Sequence, residues 1–290
     1  MIHLNEKMLR QLQMIELEML IEVDRICRKH DIPYNIIGGT LLGSVRHGGF
    51  IPWDDDADVA MLRKDYERFK QVCKAELDSD RFYFQDASET VGYRWTYGKI
   101  RRKDTLFLRE YQEHMPYEQG VFIDIFPVDS VPDNYVLRAL NDFHCFCIRK
   151  LLWSEVGKYA DKSAFKRKCF CLMSKIPRRY ILAHYEKLVQ KRNHRNTMRV
   201  RIALMPLPNK GFGYLREWYE ESSDYIFEGY AMKGIKNSHD FLTYEFGEYM
   251  ELPPIEKRKV HPVSDIKLFE NKLYKEKEQN ESNHSCGGEG

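Results

Sequence analysis

Apolar side chains recur at helical spacing over residues 5–30 (Met8, Leu9, Leu12, Ile15, Leu17, Met19, Leu20, Val23, Ile26, Cys27), and the pattern ends near His30 and Asp31. This predicts an amphipathic helix, which Pro33 prevents from continuing. YNIIGG reads as a short buried strand that stops at two glycines, and GTLLGSVRH as a helix opening at them. DVAML alternates like a strand, and KDYERFKQVCKAEL has the apolar spacing of a helix. RFYFQDA, GYRWTYGKIRR and TLFLREY are aromatic and β-branched and predict strands. GVFIDIFPVDSVP predicts another, closed by Pro127 and Pro132. From about Asn134 to Lys191 the pattern becomes that of long helices rich in Lys, Arg, Phe and Cys, and residues 211–235 are mixed. KNSHDFLTYEFGEYMELPPIEKRKVHP predicts a helix followed by a loop stopped by prolines. The polar, Gly-ended stretch from Glu276 predicts disorder.

This order predicts an α+β fold, a mixed and mostly antiparallel sheet flanked by helices with an added helical region. The expected divisions are a core at 1–133 and a basic, mostly helical region at 134–240. A C-terminal segment at 241–275 should pack back near the site, ahead of a disordered tail at 276–290.

Composition adds limits. No window approaches the ~18 uninterrupted apolar residues of a membrane span, and the charged N-terminus lacks the apolar core of a signal peptide. A cytoplasmic location is expected. Seven cysteines with no export signal predict reduced thiols. The pairs Cys145/Cys147 and Cys169/Cys171, beside His144, have C-x-C spacing, which suits buried apolar residues better than a zinc site. The net charge of +2 conceals an asymmetry: residues 143–201 carry +13 and the rest of the chain −11. Solvated helix faces account for this equally with a phosphate-rich ligand, an acidic glycan or an anionic surface. FKRKCFCLMSKIPRRYIL mixes cations with apolar residues, as a helix lying on an anionic bilayer would, or one packed on the core. No nucleic-acid motif accompanies the basic stretch.

The candidate chemistry begins at Gly38 and Gly39. A helix that opens at glycines, through Thr40, presents backbone N–H groups to an anion such as phosphate. Next, Asp54, Asp55, Asp56 and Asp58 crowd together, although their charges repel. At strand spacing Asp56 and Asp58 share a face, which suits joint binding of Mg²⁺ (or Mn²⁺), a hard cation held by carboxylates and substrate phosphates. Asp54 has the same parity, and Asp55 should point elsewhere, toward water. Asp124 lies between Ile123 and Ile125 in an apolar strand, where a carboxylate is costly unless paired or bound to metal. It is the expected third ligand.

A Gly-Gly turn, then D-h-D on a strand, then h-D-h on a later strand is the pattern of the polymerase-β-like nucleotidyltransferase fold. The chain more closely resembles the LicD family, which includes bacterial phosphocholine transferases and the fukutin proteins. GGTLLGSVRHGGFIPWDDDADVAM, VFIDIFPVDSVP and YEFGEYMELPPIEKRKVHP carry the resemblance, with WTYGKIRRKDT a weaker match, over roughly residues 34–262. Nothing family-specific is recognised in 134–200.

The resemblance implies a transferase that moves a phospho-alcohol, phosphocholine first, from a CDP-activated donor (CDP-choline or a CDP-polyol). The acceptor would be a hydroxyl of a glycan or lipid-linked glycan, of lipopolysaccharide, teichoic acid or capsule type. On that reading metal at Asp56, Asp58 and Asp124 faces the pyrophosphate, and Asp54 is the candidate base. Arg46 is a candidate phosphate clamp and Lys99 a point charge on the same group. His47, Trp95 and His261 are candidate substrate contacts. A choline ammonium would call for aromatic faces such as Trp95, Tyr97, Tyr111 and Tyr117. Two alternatives stay open: a nucleotidyltransferase moving NMP from an NTP, and a non-catalytic glycan- or membrane-binding module.

Overall fold

Helix α1 (Glu6–Lys29) starts where Asn5 accepts the Met8 N–H at 2.9 Å, and it buries Leu9, Leu12, Leu17, Leu20, Val23 and Ile26 against the sheet. The computed structural model describes residues 2–206, 213–258 and 260–286. After α1 come β1 (Asn35–Ile36), α2 (Gly38–His47), β2 (Asp58–Leu62), α3 (Arg63–Glu76) and β3 (Phe82–Gln85). Then follow β4 (Gly98–Arg102), β5 (Leu106–Arg109) and β6 (Phe122–Ser130). These elements sit where the hydrophobic pattern put them, except that GYRWTYGKIRR is strand only in its last five residues.

The main sheet runs β3-β4-β6-β2-β1-β10-β9, with β10 (Tyr230–Ile235) and β9 (Ser222–Phe227) at one edge. β7 (Arg199–Arg201) and β8 (Tyr214–Leu215) extend it from the far end of β6. The sheet is mixed: β2 runs parallel to β6 and β1 to β10, while its other pairs are antiparallel. With helices packed on it, this is the expected α+β architecture.

Two corrections follow from the sheet. Pro127 does not close β6 but lies inside it, paired in register with Met61 of β2. On the opposite edge β4 ends at Ile125 and β7 begins at Asp129, so the missing N–H of Pro127 falls in a gap between partners. Second, the region 134–240, expected to be mostly helical, also carries strands after residue 193. Its first helices are α4 (Tyr135–Ala160), α5 (Ala164–Met173) and α6 (Arg178–Asn193), after which the chain returns to the sheet. Phe227 pairs with Tyr230 across Glu228 and Gly229, both at positive φ (53° and 86°), the two-residue turn that twists a hairpin correctly.

The helices have a small core of their own around Cys145, Ile148, Leu152, Ile181, Tyr185 and Val189. A buried knot ties it to the sheet. Asp129 of β6 takes two hydrogen bonds of 2.8 Å from Arg63, one of 2.7 Å from Asn193 and one of 3.3 Å from Tyr185. The short helix α7 (Glu217–Glu220) precedes β9, and α8 (Ser238–Phe246) follows β10. β11 (Val263–Lys267) pairs with β5 in a separate two-stranded sheet. The expected tail is helical where described, within α9 (Lys272–Cys286), which packs on α1; residues 287–290 lie outside the described residues. No helix among the described residues is long and apolar enough to cross a membrane.

Candidate functional site

The acidic residues meet at the amino-terminal ends of β2 and β6, neighbouring strands of the sheet, because of register. Asp58 opens β2 and lies directly opposite Asp124 of the parallel strand β6. The Asp124 N–H donates to the Ala57 carbonyl at 3.0 Å, which fixes the approach to β2. The Asp58 N–H donates to the Thr40 hydroxyl at 2.8 Å, a contact that holds the strand to α2. Gly38 opens α2 at φ 55°, and no side chain caps the helix. A Cβ at Gly39 would lie 2.5 Å from Asp54 Oδ2, so this glycine is what lets a carboxyl reach the helix N-terminus, where the helix dipole favours negative charge.

Burial and mutual repulsion act together on these groups. Burial, then the Asp56 and Asp55 charges, push Asp54 up to about 8. Asp58 is pushed well above the usual carboxylate range by burial and by Asp56, Asp124 and Asp54. Asp56 is also raised by burial, against the opposing pull of His261. Lys99 ion-pairs with Asp124 and lies 3.4 Å from the centre of the Phe122 ring; burial brings it down to about 7. One lysine thus faces several carboxyls. As these side chains stand, no group of three or more His, Cys, Asp or Glu among the described residues, the C-x-C cysteines included, is placed to hold a metal ion. The donor set nevertheless fits a hard cation: it is all oxygen and clustered, and burial together with mutual repulsion raises Asp54, Asp56 and Asp58.

Asp55 does not face water. It is 4% exposed, accepts the His261 N–H at 2.8 Å and lies 3.2 Å from His261 Nδ1. This pair draws the 249–261 segment over the site, and His261 Nδ1 comes to 3.7 Å from Asp56. Arg46 anchors the same segment by donating to the carbonyls of Tyr249 at 2.6 Å and Glu251 at 3.3 Å. Arg258 lies over the Trp53 ring at 4.1 Å. Between α2 and this segment lies a cleft of about 410 Å³, lined by Gly39, Arg46, Trp53, Asp54, Asp56 and Lys257 among others. His47 is exposed and meets Trp53 edge to face at 6.2 Å.

Trp95 and Tyr97 lie together with Lys99 around a second, smaller pocket. Tyr117 instead packs on Tyr93 at 5.6 Å, and Tyr111 is exposed at φ 63°. The candidate residues therefore gather from α2, the 54–58 loop, β4, β6 and the 249–261 segment. Two neighbours escaped the sequence reading. Glu16 is 1% exposed beneath the aspartates, its Oε2 has no hydrogen-bond partner among the described residues, and burial with the four aspartate charges pushes it well above its ordinary range. Gln13 donates to the carbonyls of Ile51 at 3.3 Å and Asp54 at 3.0 Å. The signal was there: Gln13 and Glu16 interrupt α1's apolar stripe at i, i+3.

Comparison with known proteins agrees with this geometry. The model of the LicD/FKTN/FKRP nucleotidyltransferase domain matches residues 31–144, from the turn before β1 to the first part of α4. The lipopolysaccharide cholinephosphotransferase LicD of Haemophilus influenzae is 27% identical over 90% of this chain and 98% of its own length. The ribitol 5-phosphate transferase FKRP of human is 35% identical over 72 residues, 23% of this chain and 14% of the relative. An uncharacterised Rickettsia prowazekii protein is 28% identical over about half of each chain. Asp58 and Asp124 face each other on β2 and β6 inside the stretch that matches the LicD/FKTN/FKRP nucleotidyltransferase domain.

Proposed function

We propose that this protein transfers a phospho-alcohol, phosphocholine first, from a CDP-linked donor to a hydroxyl of a cell-surface glycan. The observation that carries the reading is the in-register Asp58–Asp124 pair with Asp54 and Asp56 beside it, at the mouth of a cleft large enough for a substrate. The relatives named for lipopolysaccharide cholinephosphate and ribitol 5-phosphate transfer support the substrate class.

Asp56, Asp58 and Asp124 would hold Mg²⁺ or Mn²⁺, which supplies charge neutralisation at a pyrophosphate and its leaving group. The chain's own groups account for the rest. Asp54, with its pKa near neutrality, takes the proton of the acceptor hydroxyl. The hydroxyl oxygen bonds to the alcohol-bearing phosphorus as the phosphoanhydride bond breaks, and CMP leaves with that electron pair. The uncapped N–H groups at the start of α2 face the same side as Asp54 and suit a phosphate oxygen. Lys99 offers a cation beside Asp124. The Asp55–His261 and Arg46 contacts hold the 249–261 segment as a wall that excludes water.

The test is CMP release from CDP-choline, CDP-ribitol and CDP-glycerol, with and without Mg²⁺ and a glycan extract, in wild type, Asp56→Asn and Asp58→Asn. Metal-dependent release from one donor, absent in both variants, supports the proposal and names the alcohol. Silence with every CDP donor, together with pyrophosphate release from an NTP, replaces it with nucleotidyl transfer.

A further inference from the structure

The smaller pocket, with Lys99 in its wall and no aspartate among its lining residues, measures about 110 Å³. Its charge is one-sided. Lys99, Arg101 and Arg109 line it, and no carboxylate does. Two of these cations are engaged: Lys99 by Asp124, and Arg101 by Gln85 at 2.7 Å and the Gly120 carbonyl at 2.6 Å. Arg109, at the end of β5, makes no side-chain hydrogen bond or ion pair among the described residues, and it lines the same pocket as Lys99 and Arg101. A guanidinium at a pocket wall with its donors unspent is a fork waiting for a planar or tetrahedral oxyanion.

Aromatic faces complete the lining: Trp95 and Tyr97 from the stretch before β4, and Trp153 from α4. Trp153 is the one residue of the basic helical region in this lining. The pocket is too small beside the 410 Å³ cleft to be the nucleotide's place, and its wall includes Lys99, the ion-pair partner of Asp124. We propose that it is a subsite for a small phosphorylated alcohol, with the phosphate on Arg109 and the carbon skeleton against Trp95, Tyr97 and Trp153. Its part in group transfer rests on the function proposed above; its affinity for a phosphomonoester does not. Three cations make phosphate the anchor, so a bare quaternary ammonium is repelled even though the aromatic faces would otherwise attract it.

The experiment titrates the full chain with phosphocholine, glycerol 3-phosphate, inorganic phosphate and choline chloride, read by tryptophan fluorescence and calorimetry. Expected are binding of the two phosphomonoesters, weaker binding of inorganic phosphate and none of choline. Arg109→Gln should weaken the phosphomonoesters at least tenfold, Arg109→Lys less, and Trp153→Phe should remove part of the fluorescence change while CMP binds as before. Thermal melts of the three variants check folding, and Trp153→Phe serves if the arginine variants fail to fold. Choline binding as tightly as phosphocholine, or phosphomonoester binding indifferent to Arg109 and Trp153, overturns the subsite. Arg109-dependent binding without CMP release from any donor upholds the subsite and sinks the proposed transfer. CMP release with a KM unchanged in Arg109→Gln does the reverse.

Discussion

Asp124 and Asp129 sit five residues apart on β6, both buried, and their surroundings could hardly differ more. Asp129 receives four hydrogen bonds, two from a guanidinium, and its charge is matched where it stands. Asp124 faces another carboxylate in register, and its one cation, Lys99, has been driven by burial to about 7. A buried aspartate is therefore no signal by itself. What separates a structural carboxylate from a candidate catalytic one is whether the fold supplies enough positive charge and enough donors to satisfy it.

Substitution should split the two sites in opposite directions. Asp129→Asn leaves the largely buried Arg63 with the half-exposed Glu67, 3.1 Å away, as its remaining counter-charge and should cost about 3–5 kcal/mol of stability in urea unfolding, with turnover per folded molecule nearly unchanged. Asp58→Asn relieves repulsion, so it should unfold no earlier than wild type while CMP release falls on the order of 10³-fold. If Asp58→Asn is the less stable of the two, the contrast is wrong.

Metal-free protein should also show the difference in its pH dependence. A carboxyl such as Asp54, raised in the fold to about 8 from an unfolded value of about 4, stabilises the fold fully at acid pH, and that stability is lost as pH climbs between the two. Lys99, depressed to about 7 from about 10.5 unfolded, works the other way, and stability is regained between those values. The melting temperature should dip near pH 7–8. Mg²⁺ at a hundred times its Kd should fill the dip with about 2.7 kcal/mol, in Asp129→Asn but not in Asp58→Asn. A dip that persists at saturating Mg²⁺ would remove the metal reading.

The smallest effect is expected at Asp55. Asp55→Asn keeps the shape but weakens two bonds to His261, and should cost about 1 kcal/mol of stability. Donor KM should rise a few fold with kcat little changed, as the 249–261 wall loosens.

Much of this was legible in the chain because local pattern and function coincide there. The helix that opens at Gly38, the DVAML strand and the lone aspartate in VFIDIF each carry their own periodicity, and the sheet does bring Asp58 and Asp124 together. What escaped depends on distant residues. Asp55 looks solvated until His261, more than two hundred positions away, reaches it. Arg46, a candidate phosphate clamp, also donates from Nη1 to the Tyr249 and Glu251 carbonyls, a contact with residues two hundred positions away. Pro127 looks like a strand end until the gap between β4 and β7 shows why its missing N–H is harmless. Glu16 could have been noticed as a charge inside an apolar stripe, but its four aspartate neighbours could not.

The parallel contact between β1 and β10 joins Ile36 to Gly234. As the chain leaves the ribosome, the glycine turn and the aspartates emerge early, but the strand that covers the outer edge of β1 is made only after some two hundred further residues. Closing so long a loop is slow, and until it closes an apolar strand edge beside the acidic cluster stays open to other chains. Truncation before residue 222 should therefore yield an aggregating core rather than a smaller enzyme, although every aspartate of the site would be present.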